Sequence, residues 1–179
     1  ITQLLVGIDI GCSRAEQCDK KYQDSEALQI SQDMKFFHLS DLHIGLKLYN
    51  RDLLEDQKFV LQQVVEQAKK EKPDAVVIAG DIYDKAVPSA EAVSVFDWFV
   101  LSMKKEVPDT VVMMISGNHD SAPRVNLYRG ILEEQKLYMA GMPPQQPEEH
   151  IQKVTVSDEW GNVNFYLLPL TQIGRAGQQ

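Results

Sequence analysis

Residues 74–81 read DAVVIAGD, an unbroken apolar run between two aspartates. A strand that is apolar at every position has no face to give to water, so other elements must cover both sides. Strands buried in this way are typically parallel and joined by crossover helices. The flanking sequence supplies such helices. In RDLLEDQKFVLQQVVEQAKKEK (51–72), Leu53, Leu54, Val60, Leu61, Val64, Val65 and Ala68 recur at helical spacing. Asp52 and Glu55 lie near its start and Lys69, Lys70 and Lys72 near its end, as the helix dipole favours. Pro73 stops it. Ser89, after Pro88, is placed to cap a second helix. Val93, Phe96, Val100 and Met103 form the apolar stripe of that helix, with Trp98 and Phe99 beside it. KFFHLS (35–40) and TVVMMIS (110–116) read as further strands. Residues 151–170 alternate on either side of Gly161-Asn162 and read as a hairpin. The order β-α-β-α-β followed by an antiparallel pair predicts an α/β sheet flanked by helices.

The chain has 179 residues, enough for one domain with an appendage. Residues 1–33 read differently from the rest. LLVGIDIG could be a strand and turn, but the polar stretch after it has no clear period. The sequence then runs from Met34 straight into a strand, so residues 1–33 are expected to be an extension and residues 34–170 the domain. GIDIG also matches the phosphate-binding turn of sugar kinases, but none of that family's other motifs accompanies it. No apolar run approaches the ~18 residues of a membrane span, and no basic region precedes the apolar first residues as in a secretory signal. Cys12 and Cys18 fit no common zinc spacing and make no disulfide framework, so a reducing, cytoplasmic setting is expected. The net charge of −8 does not advertise a nucleic-acid partner. It does not exclude one, because acids that bind metal present a positive site to phosphate.

Three successive strands end in polar clusters: SDLHIG (40–45), GDIYD (80–84) and GNHD (117–120). In a parallel sheet the carboxyl ends of the strands share one edge, where ligands bind. Asp41, His43, Asp81, Asp84, Asn118, His119 and Asp120 should therefore meet, although they are far apart in sequence. Asp41 and His43, two residues apart in an extended segment, would point the same way. Oxygen and nitrogen donors without a thiolate suit Mn²⁺, Fe or Zn²⁺ rather than a structural zinc cage. A shared carboxylate between two cations ~3.5–4 Å apart is the plan of a two-metal hydrolytic site. Gly80 and Gly117 would let the backbone turn sharply beneath the metals.

The motifs D-x-H, G-D-x-x-D and G-N-H-D, in this order, resemble the calcineurin-like metallophosphoesterase superfamily. Within it, FFHLSDLHIGLKLYNRDLLEDQ, GDIYDKAVPS and GNHDS are similar to the SbcD-type nuclease subunits of DNA repair. Protein phosphatases of the superfamily carry arginine and glycine where Lys85 and Ala86 stand here. The resemblance implies a sandwich of sheets flanked by helices. It also implies two divalent metals, most simply Mn²⁺, a DNA substrate, an SbcC-type ATPase partner, a homodimer within a larger complex, and no membrane. Asp41 and His43 would hold the first metal, Asp81 would bridge both and Asn118 would bind the second. His119 would be the catalytic histidine, with Asp84 and Asp120 orienting the ligands.

The family pattern continues with a further histidine and a G-H-x-H pair, all metal ligands. Besides His43 and His119 this chain has only His38, expected on the first strand, and His150, in the polar loop PPQQPEEH. Residues 171–179 also depart from the family. The domain is thus expected to be truncated on its C-terminal side, with weak metal binding and little nuclease activity. Two other readings are a different calcineurin-like phosphodiesterase or phosphatase, and a non-catalytic fragment that binds DNA or a partner.

Overall fold

In the computed structural model, which describes residues 7–10 (backbone only) and 34–170, the run predicted to be covered on both faces is indeed buried at every position. It forms β5 (Ala75–Ala79). Its neighbours are β2 (Phe36–Leu39) and β6 (Val111–Ile115), and β6 pairs in turn with β7 (Leu137–Ala140). All three pairings are parallel, giving the sheet order β2-β5-β6-β7. Successive side chains of β5 and β6 point to opposite faces. Val76, Ile78, Val112 and Met114 enter one core, with α1 (Leu54–Glu71) and α2 (Ala90–Glu106). Ala75, Val77, Ala79, Met113 and Ile115 enter a second core.

That second core is closed by an antiparallel hairpin, β8 (Gln152–Asp158) and β9 (Gly161–Leu167), through Val154, Val156, Val163, Phe165 and Leu167. β1 (Gly7–Ile10) pairs antiparallel with β9, so this part of the segment set apart in the sequence adds a strand to the hairpin. Cys12, Cys18 and residues 171–179 lie outside the described residues. The architecture is a layer of helices, a parallel sheet and a smaller antiparallel sheet. It is the expected sandwich of sheets flanked by helices. Phe165, with no exposed surface, meets Phe36 edge-on across the sheets at a centroid distance of 5.7 Å. Burying a phenylalanine fully is worth roughly 1.5–3 kcal/mol.

Several local expectations change. α2 does turn a stripe inward, but it is Ala92, Val95, Phe96, Phe99 and Met103, while Val93 is exposed. This helix is apolar on more than one side, and a small residue is needed where Ala92 lies under Gly45. On α1 only Leu61, Val65 and Ala68 are buried, and Val60 faces water. Ser89 caps α2 as expected, accepting a hydrogen bond from Ala92 N at 3.2 Å.

The hairpin turns at Glu159-Trp160 rather than at Gly161-Asn162. Asp158 Oδ1 accepts from Trp160 N and Gly161 N, and this side-chain turn leaves Gly161 to begin β9. Five elements were not legible in the sequence. They are β7, the ribbon of β3 (Lys47–Leu48) and β4 (Arg51–Asp52), and the short helices α3 (Ala122–Val125) and α4 (Arg129–Glu133). Each is too short to show a period. No helix among the described residues is long and apolar enough to cross a membrane.

Candidate metal centre

The loops after β2, β5 and β6 leave the same edge of the sheet, and backbone hydrogen bonds join the first two. Asp41 N donates to Gly80 O (3.2 Å), His43 N to Asp81 O (2.9 Å) and Ile44 N to Ile82 O (3.0 Å). Asp84 N returns a bond to Ile44 O (3.2 Å). In this arrangement Asp41, His43 and Asp81 have φ of 54°, 43° and 48°. Each is a left-handed conformation that costs an L-residue roughly 1–2 kcal/mol. Such strain concentrates at functional sites, where the surroundings over-determine it. The expectation that Asp41 and His43 converge as alternate residues of a strand is therefore corrected. β2 ends at Leu39, and the left-handed turn brings His43 Nε2 to 3.9 Å from Asp41 Oδ1.

The third loop is bolted on by two buried carboxylates. Asp120 accepts from Ile82 N (3.1 Å), Tyr83 N (3.0 Å) and Gly117 N (2.9 Å), linking the loops after β5 and β6. Asp81 Oδ1 accepts from His119 N at 2.8 Å. A Cβ at Gly117 would overlap the Asp81 carboxylate and backbone nitrogen, so glycine is required there by close approach. Gly80, at φ +88°, makes the turn itself.

Sequence reasoning missed Gln57 on α1. Its Nε2 donates to Leu42 O (3.1 Å) and His43 O (2.7 Å), and its Oε1 accepts from Gly45 N (2.9 Å). One carboxamide thus holds the strained loop to a helix. The only signal in the sequence was a polar residue among the apolar positions of the first helical turns, which is too common to single out.

Two ligand sets result. Asp41, His43 and Asp81 each offer an atom within 4.8 Å of the others, and so do His43, Asp84 and His119. The His43 and His119 rings meet edge-on at 4.7 Å and 87°. His119 Nδ1 lies 2.8 Å from the Asp84 carbonyl oxygen. This carbonyl raises the His119 pKa above its ordinary value; burial opposes the rise, and the charges of Asp81, Asp84 and Asp120 add to it. A bound dication would pull it back down. Asn118 is exposed on the same loop, between Gly117 and His119. His38, exposed on β2, and His150, in a hollow with Arg129 and Gln152, belong to neither set. Carboxylate oxygens and imidazole nitrogens gathered around a buried aspartate fit a divalent transition cation.

Comparison with known proteins agrees with this chemistry. The calcineurin-like phosphoesterase family model matches residues 34–176. Among similar proteins is the SbcD subunit of nuclease SbcCD from Staphylococcus epidermidis, 34% identical over 142 residues, which are 78% of this chain and 35% of the relative. The SbcD subunit of the same nuclease from Staphylococcus saprophyticus is likewise 34% identical with the same coverage. The chain thus spans 35% of the length of these relatives. Because the match takes in all three loops and the sheet that carries them, the chain belongs to the calcineurin-like phosphoesterase family.

Proposed function

We propose that residues 34–170 form a metal-dependent DNA nuclease domain of the SbcD type, hydrolysing phosphodiester bonds at a two-metal site loaded with Mn²⁺. The observation that carries this reading is the convergence of Asp41, His43 and Asp81 from two loops, with His119 tied to Asp81 from the third. The name of the relatives, a subunit of an SbcCD nuclease, supports DNA as substrate and an SbcC-type ATPase as partner. A homodimer within that complex and a role in DNA repair and recombination in the cytoplasm complete the reading.

Asp41 and His43 would hold the first cation, Asp81 would serve both, and Asn118 would supply an amide oxygen to the second. When bound, the metals supply Lewis-acid polarisation of the phosphate and a water acidic enough to attack it. Asp81 holds its carboxylate in place because the His119 backbone N–H fixes one oxygen. His119 keeps Nδ1 on the Asp84 carbonyl, which leaves Nε2 to engage a scissile phosphate. In its protonated form it donates to the departing oxygen and stabilises the developing charge. Asp120 and Gln57 hold the loops in register while this happens.

Calorimetry with Mn²⁺ on the chain and its Asp81→Ala variant tests the centre. The variant should bind at least ~10-fold more weakly, since losing even outer partners of a metal ligand costs that much; equal heats would overturn the assignment. Mn²⁺-dependent degradation of linear duplex DNA, run beside a phosphomonoester, tests the substrate. Little cleavage is expected with four ligand side chains, but what there is should favour DNA and vanish in His119→Ala. Preference for the monoester would move the reading to a phosphatase of the same family.

A further inference from the structure

His43 belongs to both ligand sets, and its two ring nitrogens face opposite ways. Nε2 lies 3.9 Å from Asp41 Oδ1, and Nδ1 lies 3.9 Å from Asp84 Oδ1. A neutral imidazole has one lone pair and one N–H. His43 can therefore serve a cation on one side at a time. The two sides differ in chemistry. On the Asp41 side it joins two carboxylates, a hard, oxygen-rich set. On the Asp84 side it joins a second imidazole and one carboxylate, a nitrogen-rich set of three ligands with room for a fourth.

The Asp84 side is also prepared. A carbonyl can only accept, so the 2.8 Å contact with Asp84 O places the His119 proton on Nδ1 and leaves the Nε2 lone pair free. Metal-ligating histidines characteristically donate their other N–H to a backbone carbonyl or carboxylate. The Asp84 backbone is itself anchored by its N–H to Ile44 O, and its side chain is mostly buried.

We infer that His43, Asp84 and His119 form an alternative Zn²⁺ site, and that Zn²⁺ held there switches off the hydrolytic centre by withdrawing His43 from Asp41 and occupying His119. The site stands on its own geometry; its regulatory role rests on the hydrolytic reading above. No metal ligand need leave its loop for the exchange, because His43 only changes which nitrogen carries the proton.

The test titrates the purified 179-residue chain with Zn²⁺ alone and with Mn²⁺ alone, by calorimetry. It then adds Zn²⁺ to the Mn²⁺-loaded chain while electron paramagnetic resonance follows free Mn²⁺. Asp84→Asn keeps the carbonyl that orients His119, and His119→Gln alters an exposed position, so neither threatens folding. Each should weaken Zn²⁺ at least ~10-fold. Asp84→Asn should weaken Zn²⁺ far more than Mn²⁺, Asp41→Asn should weaken Mn²⁺ far more than Zn²⁺, and Zn²⁺ should release Mn²⁺ from the unaltered chain. In nuclear magnetic resonance, Zn²⁺ should shift the ring signals of His43 and His119 together. Unchanged Zn²⁺ affinity in both Asp84→Asn and His119→Gln would overturn the site. Joint binding without release of Mn²⁺ would overturn the switch. Zn²⁺ binding that needs Asp84 and His119, in a chain that never takes up Mn²⁺, would support the zinc site and sink the hydrolytic reading instead.

Discussion

Tyr83 shows how closely single residues are adapted to this edge. It lies between the metal-centre loop and α2, its ring edge-on to Phe96 at 5.6 Å, and its backbone N–H is bound by Asp120. Burial first, then the charges of Asp120 and Asp97, push its phenol up to about 12 from an ordinary 10. The folded state therefore holds this proton more tightly than the unfolded chain does. Its contribution to stability is complete below pH 10 and is lost as pH rises from 10 toward about 12. Urea unfolding across that range should show the unaltered chain losing stability faster than Tyr83→Phe, which has no proton to release. Parallel curves would mean that the phenol ionises normally. Asp120, read from the sequence as orienting ligands, accepts from three backbone N–H groups of the loops that carry the candidate ligands.

At the scale of elements, the helices show how far apolar spacing can lead. Phe59 and Phe99 are both phenylalanines on long helices, yet Phe59 is 63% exposed and Phe99 is 1% exposed. Phe99→Ala should cost about 3–5 kcal/mol of unfolding free energy, the range for a large core truncation. Phe59→Ala should stay within about 0.5 kcal/mol, as for surface changes. Chemical denaturation of the two variants decides it, and similar losses would mean that α1 does not sit as described. Between the helices, Lys69 Nζ lies 2.8 Å from Glu106, an ion pair at the surface with Lys69 exposed and Glu106 half-buried, which adds little. Helix existence, the Ser89 cap and the stop before Pro73 were legible because they depend on local spacing and on nearby backbone. Which side faced inward was legible only in part: Phe96, Met103, Leu61, Val65 and Ala68 turn to the core as expected, but Val93 and Val60 do not. That depends on a neighbour such as Gly45, 47 positions before Ala92 in the chain.

At the scale of the whole molecule, the proposed centre would couple folding to metal because its candidate ligands come from loops more than thirty residues apart. A cation that binds only the folded chain stabilises it by mass action, about 2.7 kcal/mol at a hundredfold excess over its dissociation constant. Mn²⁺ should therefore raise the thermal midpoint, a chelator should reverse the rise, and Asp81→Ala should show neither effect. A midpoint indifferent to Mn²⁺ in the unaltered chain would count against the centre. The amino-acid sequence by itself determined the α/β order, the buried parallel strands and the three polar clusters, since periodicity and strand-end chemistry are written in adjacent residues. It also carried the identity of the candidate ligands. Only the tertiary structure decided that Asp41 and His43 meet through left-handed backbone and not through strand alternation, because the hydrogen bonds that hold that backbone come from Gly80 and Asp81. It alone placed Gln57 on the His43 loop and the His119 ring against that of His43. These are contacts between segments that no local pattern relates, fixed by how the sheet, the helices and the loops pack together.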